Sequence, residues 1–163
     1  MEIKPTTTVC ITDGACKQGI YCGAGVIIID QQTGKIISEH SKYTGEGTNN
    51  QSEYWALEYG LEIAESYARE KNSGSILILS DSRLIIEQLN GVFTIKQPEL
   101  KKLHNKIKIE IGRLRAEGFE VKLDCISREY TVRADELASE AARQAKMIDT
   151  EQKYPFLLQI NKQ

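Results

Sequence analysis

The sequence predicts an α/β fold: a mixed five-stranded sheet, three antiparallel strands followed by two parallel ones, flanked by helices. Three observations lead there. Three β-branched apolar segments near the N-terminus are joined by short turns, the pattern of an antiparallel meander. Past residue 50 the strands alternate with helical patterns, so the later strands should run parallel to the first. The run 75–80 (SILILS) is apolar almost throughout, as expected of a strand covered on both faces.

Taken in order, the first strand is 9–14 (VCITDG), with Gly14 placed to turn the chain sharply out of it. A polar turn at 17–21 leads to a second strand over 23–30. Its opening Gly23, Ala24 and Gly25 leave room for another backbone to approach. A hairpin turn at 31–34 and a third strand over 35–43 follow. The turn-rich stretch 44–51 (TGEGTNNQ) connects to a helix over 52–71, with Ala56, Leu57, Gly60, Leu61 and Ala64 on one stripe. After the 75–80 strand come a short helix over 82–89, a loop through Pro98, and a longer helix over 99–117 that Gly118 stops. The fifth strand spans 119–126. The last helix spans 132–146, with Ala134, Leu137, Ala138, Ala141, Ala142 and Ala145 on its packing side. Residues 1–148 read as one domain and 149–163 as a tail, whose YPFLL segment is suited to docking on the body or on a partner.

A single domain of 163 residues buries about 68–70% of its unfolded surface, enough for a sizeable core. No stretch reaches the ~18 apolar residues of a membrane span, and the first residues lack a signal peptide's apolar core, which predicts a cytoplasmic protein with no membrane partner. The net charge of −2 argues against a globally basic nucleic-acid binder and leaves room for a local basic face. Cys10, Cys16, Cys22 and Cys125 have no zinc-type pair spacing. A Cys16–Cys22 disulfide is one alternative; in a reducing compartment, free thiols are expected.

The chemistry lies in four carboxylates. Asp13 ends the first strand, where a carboxylate is costly to desolvate unless a cation or several donors meet it. Glu53 stands three and four residues before Ala56 and Leu57, in line with the buried stripe of its helix. Asp81 follows the apolar run, at the carboxyl end of a central strand, where ligand crevices form in open α/β sheets. Asp135 shares a helix side with Ala138 and Ala142. Each has an ordinary alternative: a local turn for Asp13, capping for Glu53 and Asp81, a dipole partner for Asp135. Together they can reach one edge of one sheet. Bare carboxylates that close repel by about 4 kcal/mol per pair at an effective dielectric of 20, which divalent cations would remove. Oxygen-only ligands favour Mg²⁺ or Mn²⁺ over zinc, and two such ions about 4 Å apart can activate water and stabilise a phosphodiester's leaving oxygen.

The segments ITDGAC, TNNQSE, ILSDS and ADELA, in this order, resemble the motifs of ribonuclease H type 1, over roughly residues 8–145. The resemblance implies a ribonuclease-H-like fold and hydrolysis of the RNA strand of RNA/DNA hybrids by a two-metal mechanism, with two Mg²⁺ or Mn²⁺ ions per site. It maps the catalytic and metal-ligating quartet to Asp13, Glu53, Asp81 and Asp135. Asn49 and Asn50 would contact substrate, and backbone at Gly14 and Ala15 would meet the RNA strand. Double-stranded RNA stands as a second substrate, and a tail-mediated dimer as the alternative to a monomer.

Several positions depart from the family pattern. Its glycine- and proline-containing turn after the first strand is replaced by KQGIYCGAG. Many members carry a histidine in the loop before the last helix; here that loop is SREYTVR, and the two histidines are His40 and His104. The loop resembles the histidine-free, archaeal-like branch, with Arg128 as the arginine of this segment. Thr131 stands where an asparagine is common, four residues before Asp135, and Arg83 where many members have glutamine. Loss of the histidine implies slower or differently pH-dependent turnover.

Between residues 96 and 115, seven basic residues (Lys96, Lys101, Lys102, Lys106, Lys108, Arg113, Arg115) face two acidic ones, a net of five positive charges. This reads as a phosphate-facing patch with Lys101 and Lys102 binding substrate, or as a solvated helix face. The competing function is a catalytically weak ribonuclease-H-like nucleic-acid-binding module of a larger complex. A proofreading-type exonuclease fits less well, because it wants an acid where Ala15 stands.

Overall fold

The computed structural model of the protein describes residues 7–162. Strands β1 (Thr7–Lys17), β2 (Tyr21–Ile29), β3 (Ile36–Glu46), β4 (Ser75–Ser80) and β5 (Glu120–Cys125) form one sheet in the order β3-β2-β1-β4-β5. The pairs β3–β2 and β2–β1 are antiparallel, and β1–β4 and β4–β5 are parallel. Helices α1 (Asn49–Glu70), α2 (Arg83–Leu89), α3 (Pro98–Ala116) and α4 (Val132–Lys153) complete the architecture. The fold is the mixed five-stranded sheet expected from the sequence.

Strand alternation sorts the core into two layers. Cys10, Val26, Ile28, Ile76 and Ile78 face α1, meeting Tyr54, Leu57 and Leu61, and the layer extends to Ile107, Ile111 and Leu114 of α3. Ile11 and Ile27 point the other way, against Ala134 and Leu137 of α4. Each fully buried aliphatic side chain of this kind stabilises by about 1.5–3 kcal/mol, so both helices are held firmly to the sheet.

Two glycines let those helices come close. A Cβ on Gly25 would stand 1.9 Å from the Ala134 carbonyl oxygen, so α4 lies directly on the backbone of β2, as the small residues there predicted. A Cβ on Gly14 would stand 2.4 Å from the carbonyl oxygen of Ser52, near the start of α1. Gly14 is thus a close-approach residue and not a turn. The expectation of a turn there is corrected: β1 continues to Lys17, and the reversal falls at residues 18–20, where Gln18 and Gly19 have positive φ.

The N-cap of α1 is Thr48. Its Oγ1 accepts the Gln51 N–H at 3.2 Å, while Gln51 Oε1 accepts the Thr48 N–H at 2.9 Å. Helix α4 also departs from expectation. It runs on to Lys153, so the first residues of the expected tail, and the expected boundary at 148, lie within a continuous helix. Among the described residues no helix is long and apolar enough to cross a membrane.

Candidate active site

Asp13 sits within β1, opposite Gly25 of β2, and is only 5% exposed. Capping at Thr48 sets the phase of α1, and the absent side chain at Gly14 lets its first turns press on β1, so Glu53 reaches the same place. The Gly14 N–H donates to Glu53 Oε2 at 3.4 Å. Asp81 follows β4, which runs parallel beside β1, and its side chain is 10% exposed. One carboxylate oxygen from each of Asp13, Glu53 and Asp81 lies within 4.8 Å of the others.

These three acids line a cleft of about 540 Å³ with Gly14, Ala15, Cys16, Lys17, Asn49, Arg128, Thr131, Val132 and Asp135. Asp135 is exposed at the rim, on the first turn of α4, and is not part of the tight cluster of three. Its charge still reaches the centre. Burial first, then the charges of Glu53, Asp81 and Asp135, push the Asp13 carboxyl up to about 9. Burial and the Asp81 charge push Glu53 up to about 7, against the opposing pull of hydrogen bonds from Asp13 and the Gly14 N–H. Asp13 and Glu53 thus hold protons well above the ordinary carboxylate range, because burial and the neighbouring negative charges both disfavour their ionised forms.

Two donors converge on Asp81 Oδ2. The Thr131 hydroxyl donates to it at 2.8 Å, and Arg128 Nε stands 3.6 Å away on a side chain 92% exposed. Neither histidine lines the cleft. His104 Nε2 lies 3.0 Å from the Gln88 carbonyl oxygen, and His40 Nε2 lies 3.0 Å from Ser38 Oγ.

Other expected substrate residues divide. Gly14, Ala15, Asn49 and Arg128 line the cleft; Asn50, Lys101 and Lys102 do not. The basic stretch is also less free than its count implied. Lys106 pairs with Glu58 at 2.7 Å, and Arg113 pairs with Glu65, Glu110 and Glu117. Lys108 Nζ and Arg115 donate to the backbone carbonyls of Leu89 and Val121. Lys101 and Lys102 remain exposed.

Lys17 was missed at the sequence level. It follows Asp13 and Ala15 at period two on one face of β1, a signal legible only once the strand continues past Gly14. The cysteine expectation is overturned as well. Cys16 and Cys22 form a disulfide, because the β1–β2 register sets them directly opposite each other. Cys10 and Cys125 are the free thiols.

The reverse-transcriptase-like family matches residues 11–141. LC11-RNase H1, from compost and solved in complex with an RNA/DNA hybrid, is 34% identical, with a TM-score of 0.72 over 85% of this chain and 98% of that one. Ribonuclease HI of Halobacterium salinarum is 32% identical over 130 residues, 79% of this chain and 61% of that protein. The bifunctional protein Rv2228c of Mycobacterium tuberculosis is 27% identical over 119 residues, 73% of this chain. This chain spans only 30% of that protein's length. The sheet order, the acids at its centre and these likenesses agree, and the chain belongs to the ribonuclease H type 1 family.

Proposed function

We propose that the protein is a metal-dependent endoribonuclease that hydrolyses the RNA strand of RNA/DNA hybrids. The observation that carries this reading is the meeting of Asp13, Glu53 and Asp81 oxygens within 4.8 Å in an open cleft. The 34% identical LC11-RNase H1, solved with a hybrid, supports the substrate class.

The donor set fits Mg²⁺ or Mn²⁺. It consists of hard carboxylate oxygens, and the one cysteine lining the cleft is tied up in a disulfide. The raised carboxyls of Asp13 and Glu53 are the other half of that fit, since a divalent cation would take the place of the protons they hold. Asp13, Glu53 and Asp81 would hold such ions, with Asp135 reaching in from the rim, at two ions per site. Bound there, the ions supply activation of a water and charge stabilisation at the leaving oxygen of a phosphodiester.

The remaining roles belong to the chain's own groups. Arg128, exposed and cationic, neutralises and orients a phosphate at the mouth of the cleft. The backbone at Gly14 and Ala15, with Asn49, lies where an RNA strand would pass, and Lys17 adds a second cation on the same wall. Lys101 and Lys102 contact more distant phosphates.

The test is incubation of the protein with labelled RNA/DNA hybrid, RNA duplex and DNA duplex, each with Mg²⁺, Mn²⁺ or chelator. Cleavage confined to RNA strands and abolished by chelator is the expected outcome. Undiminished cleavage in excess chelator would remove the metal mechanism, and a hybrid left intact under all conditions would leave a binding module.

A further inference from the structure

Thr131 occupies the N-cap position of α4 and is 1% exposed. A threonine there ordinarily folds its hydroxyl onto the N–H of the second or third helical residue and stabilises the helix end. Thr131 makes no such bond. Its hydroxyl is directed instead at Asp81 Oδ2, 2.8 Å away, with the Arg128 carbonyl oxygen at 3.1 Å as a second acceptor. One hydrogen serves the carboxylate better, because that acceptor is closer and can carry charge.

The same residue is tied through its backbone to two other residues that line the cleft. The Asp135 N–H donates to the Thr131 carbonyl oxygen at 2.9 Å, and the Thr131 N–H donates to the Arg128 carbonyl at 3.1 Å. Thr131 therefore links the acid after β4, the acid on α4 and the arginine loop. Arg128 also approaches Asp81 Oδ2, but its side chain is 92% exposed and free to leave for a phosphate. Thr131 is the buried donor. With Oδ2 engaged by these donors, Oδ1 is the Asp81 oxygen for which no described hydrogen bond competes with a ligand.

We propose that Thr131 is a positioning residue: it forgoes capping α4 so that its hydroxyl fixes the Asp81 carboxylate, turning Oδ1 toward a divalent cation shared with Asp13 and Glu53. This rests on the reading of the cleft as a cation site. Partners that orient a ligating group in this way change metal affinity by about 10–100-fold when removed.

The experiment measures Mn²⁺ binding to the purified full chain without nucleic acid, by the electron paramagnetic resonance signal of free Mn²⁺. The Mg²⁺ dependence of hybrid cleavage is measured in parallel. Thr131→Val keeps the shape and deletes the hydroxyl. It should bind Mn²⁺ at least about tenfold more weakly and need correspondingly more Mg²⁺ for half-maximal cleavage, with kcat recovering at saturating Mg²⁺. Its melting temperature should fall by no more than several degrees, since one buried hydrogen bond is lost but no helix cap. Thr131→Ser should restore Mn²⁺ affinity. Thr131→Ala, which leaves space in place of a methyl beside the carboxylate, should match the valine variant and stands in for it if that variant does not fold. Parent-like Mn²⁺ binding in the variants lacking the hydroxyl overturns the positioning role alone, as does failure of serine to rescue. A parent protein that binds no Mn²⁺ overturns the cation site and this role together.

Discussion

Cys16 and Cys22 stand directly opposite each other across β1 and β2, with Cα atoms 4.1 Å apart, and are joined by a disulfide on the wall of the acidic cleft. The bridge closes a short loop, so its effect through the unfolded chain is modest, about 2 kcal/mol at most. Alkylation of unfolded, unreduced protein should label two thiols, those of Cys10 and Cys125, and four after reduction. Reduction should also lower the melting temperature by several degrees. Four labelled thiols without reductant would contradict the bridge.

The acids at the centre make stability depend on pH in an unusual direction. Burial and mutual charge raise Asp13 to about 9 and Glu53 to about 7, so the folded state binds more protons than the unfolded chain above the ordinary carboxylate range. Stability in chelator should therefore fall as pH rises from about 4–5 through 7 and on toward 9. Mg²⁺ should flatten the profile, and Asp13→Asn should flatten its upper part. Scanning calorimetry over pH 5–9 decides it; a melting temperature that climbs across this window in chelator would refute the electrostatics described for the cleft.

For the basic helix, the two exposed lysines and the paired one should separate. Lys101→Ala with Lys102→Ala should reduce the salt slope of hybrid binding by up to about 2 units, one for each phosphate no longer neutralised. Lys106→Ala should change it little, because Lys106 is held by Glu58 at 2.7 Å. An unchanged slope in the double variant would return Lys101 and Lys102 to a solvated face.

Arg128 should act by charge and shape. Arg128→Ala is expected to slow hybrid cleavage without altering the form of its pH profile, because it removes a phosphate contact and no acid or base of the reaction. Arg128→Lys should rescue only partly, since the planar fork is lost. Cleavage at the parent rate by Arg128→Ala would leave the arginine with no part in the reaction.

Much of this was legible before the structure, because periodicity and element ends carry position. Asp81 closes an apolar run, and Glu53 lies in line with the buried stripe of α1, so both were placed by their own elements. Gly14 is ambiguous in the sequence because a residue without a side chain serves equally as a turn and as a close approach. Only the Ser52 carbonyl, 38 residues away in sequence, decides between them. That one ambiguity hid the last three residues of β1, and with them Lys17 and the register that sets Cys16 opposite Cys22, a pairing the sequence leaves as one alternative. The Lys106–Glu58 and Thr131–Asp81 bonds join distant elements and have no local signature at all. The run of α4 to Lys153 was missed for a different reason. Its last turns carry exposed Met147 and Ile148 in place of a buried stripe, so the apolar pattern fades before the helix ends.

The most direct measurement is cleavage of an end-labelled RNA strand in an RNA/DNA hybrid by the parent and Asp13→Asn proteins, side by side in Mg²⁺. The parent should fragment the RNA strand and leave the DNA whole, while the folded variant should be at least about 100-fold slower. A variant that cuts the RNA at a rate near the parent's would contradict the assignment of the chemistry to this cluster of acids.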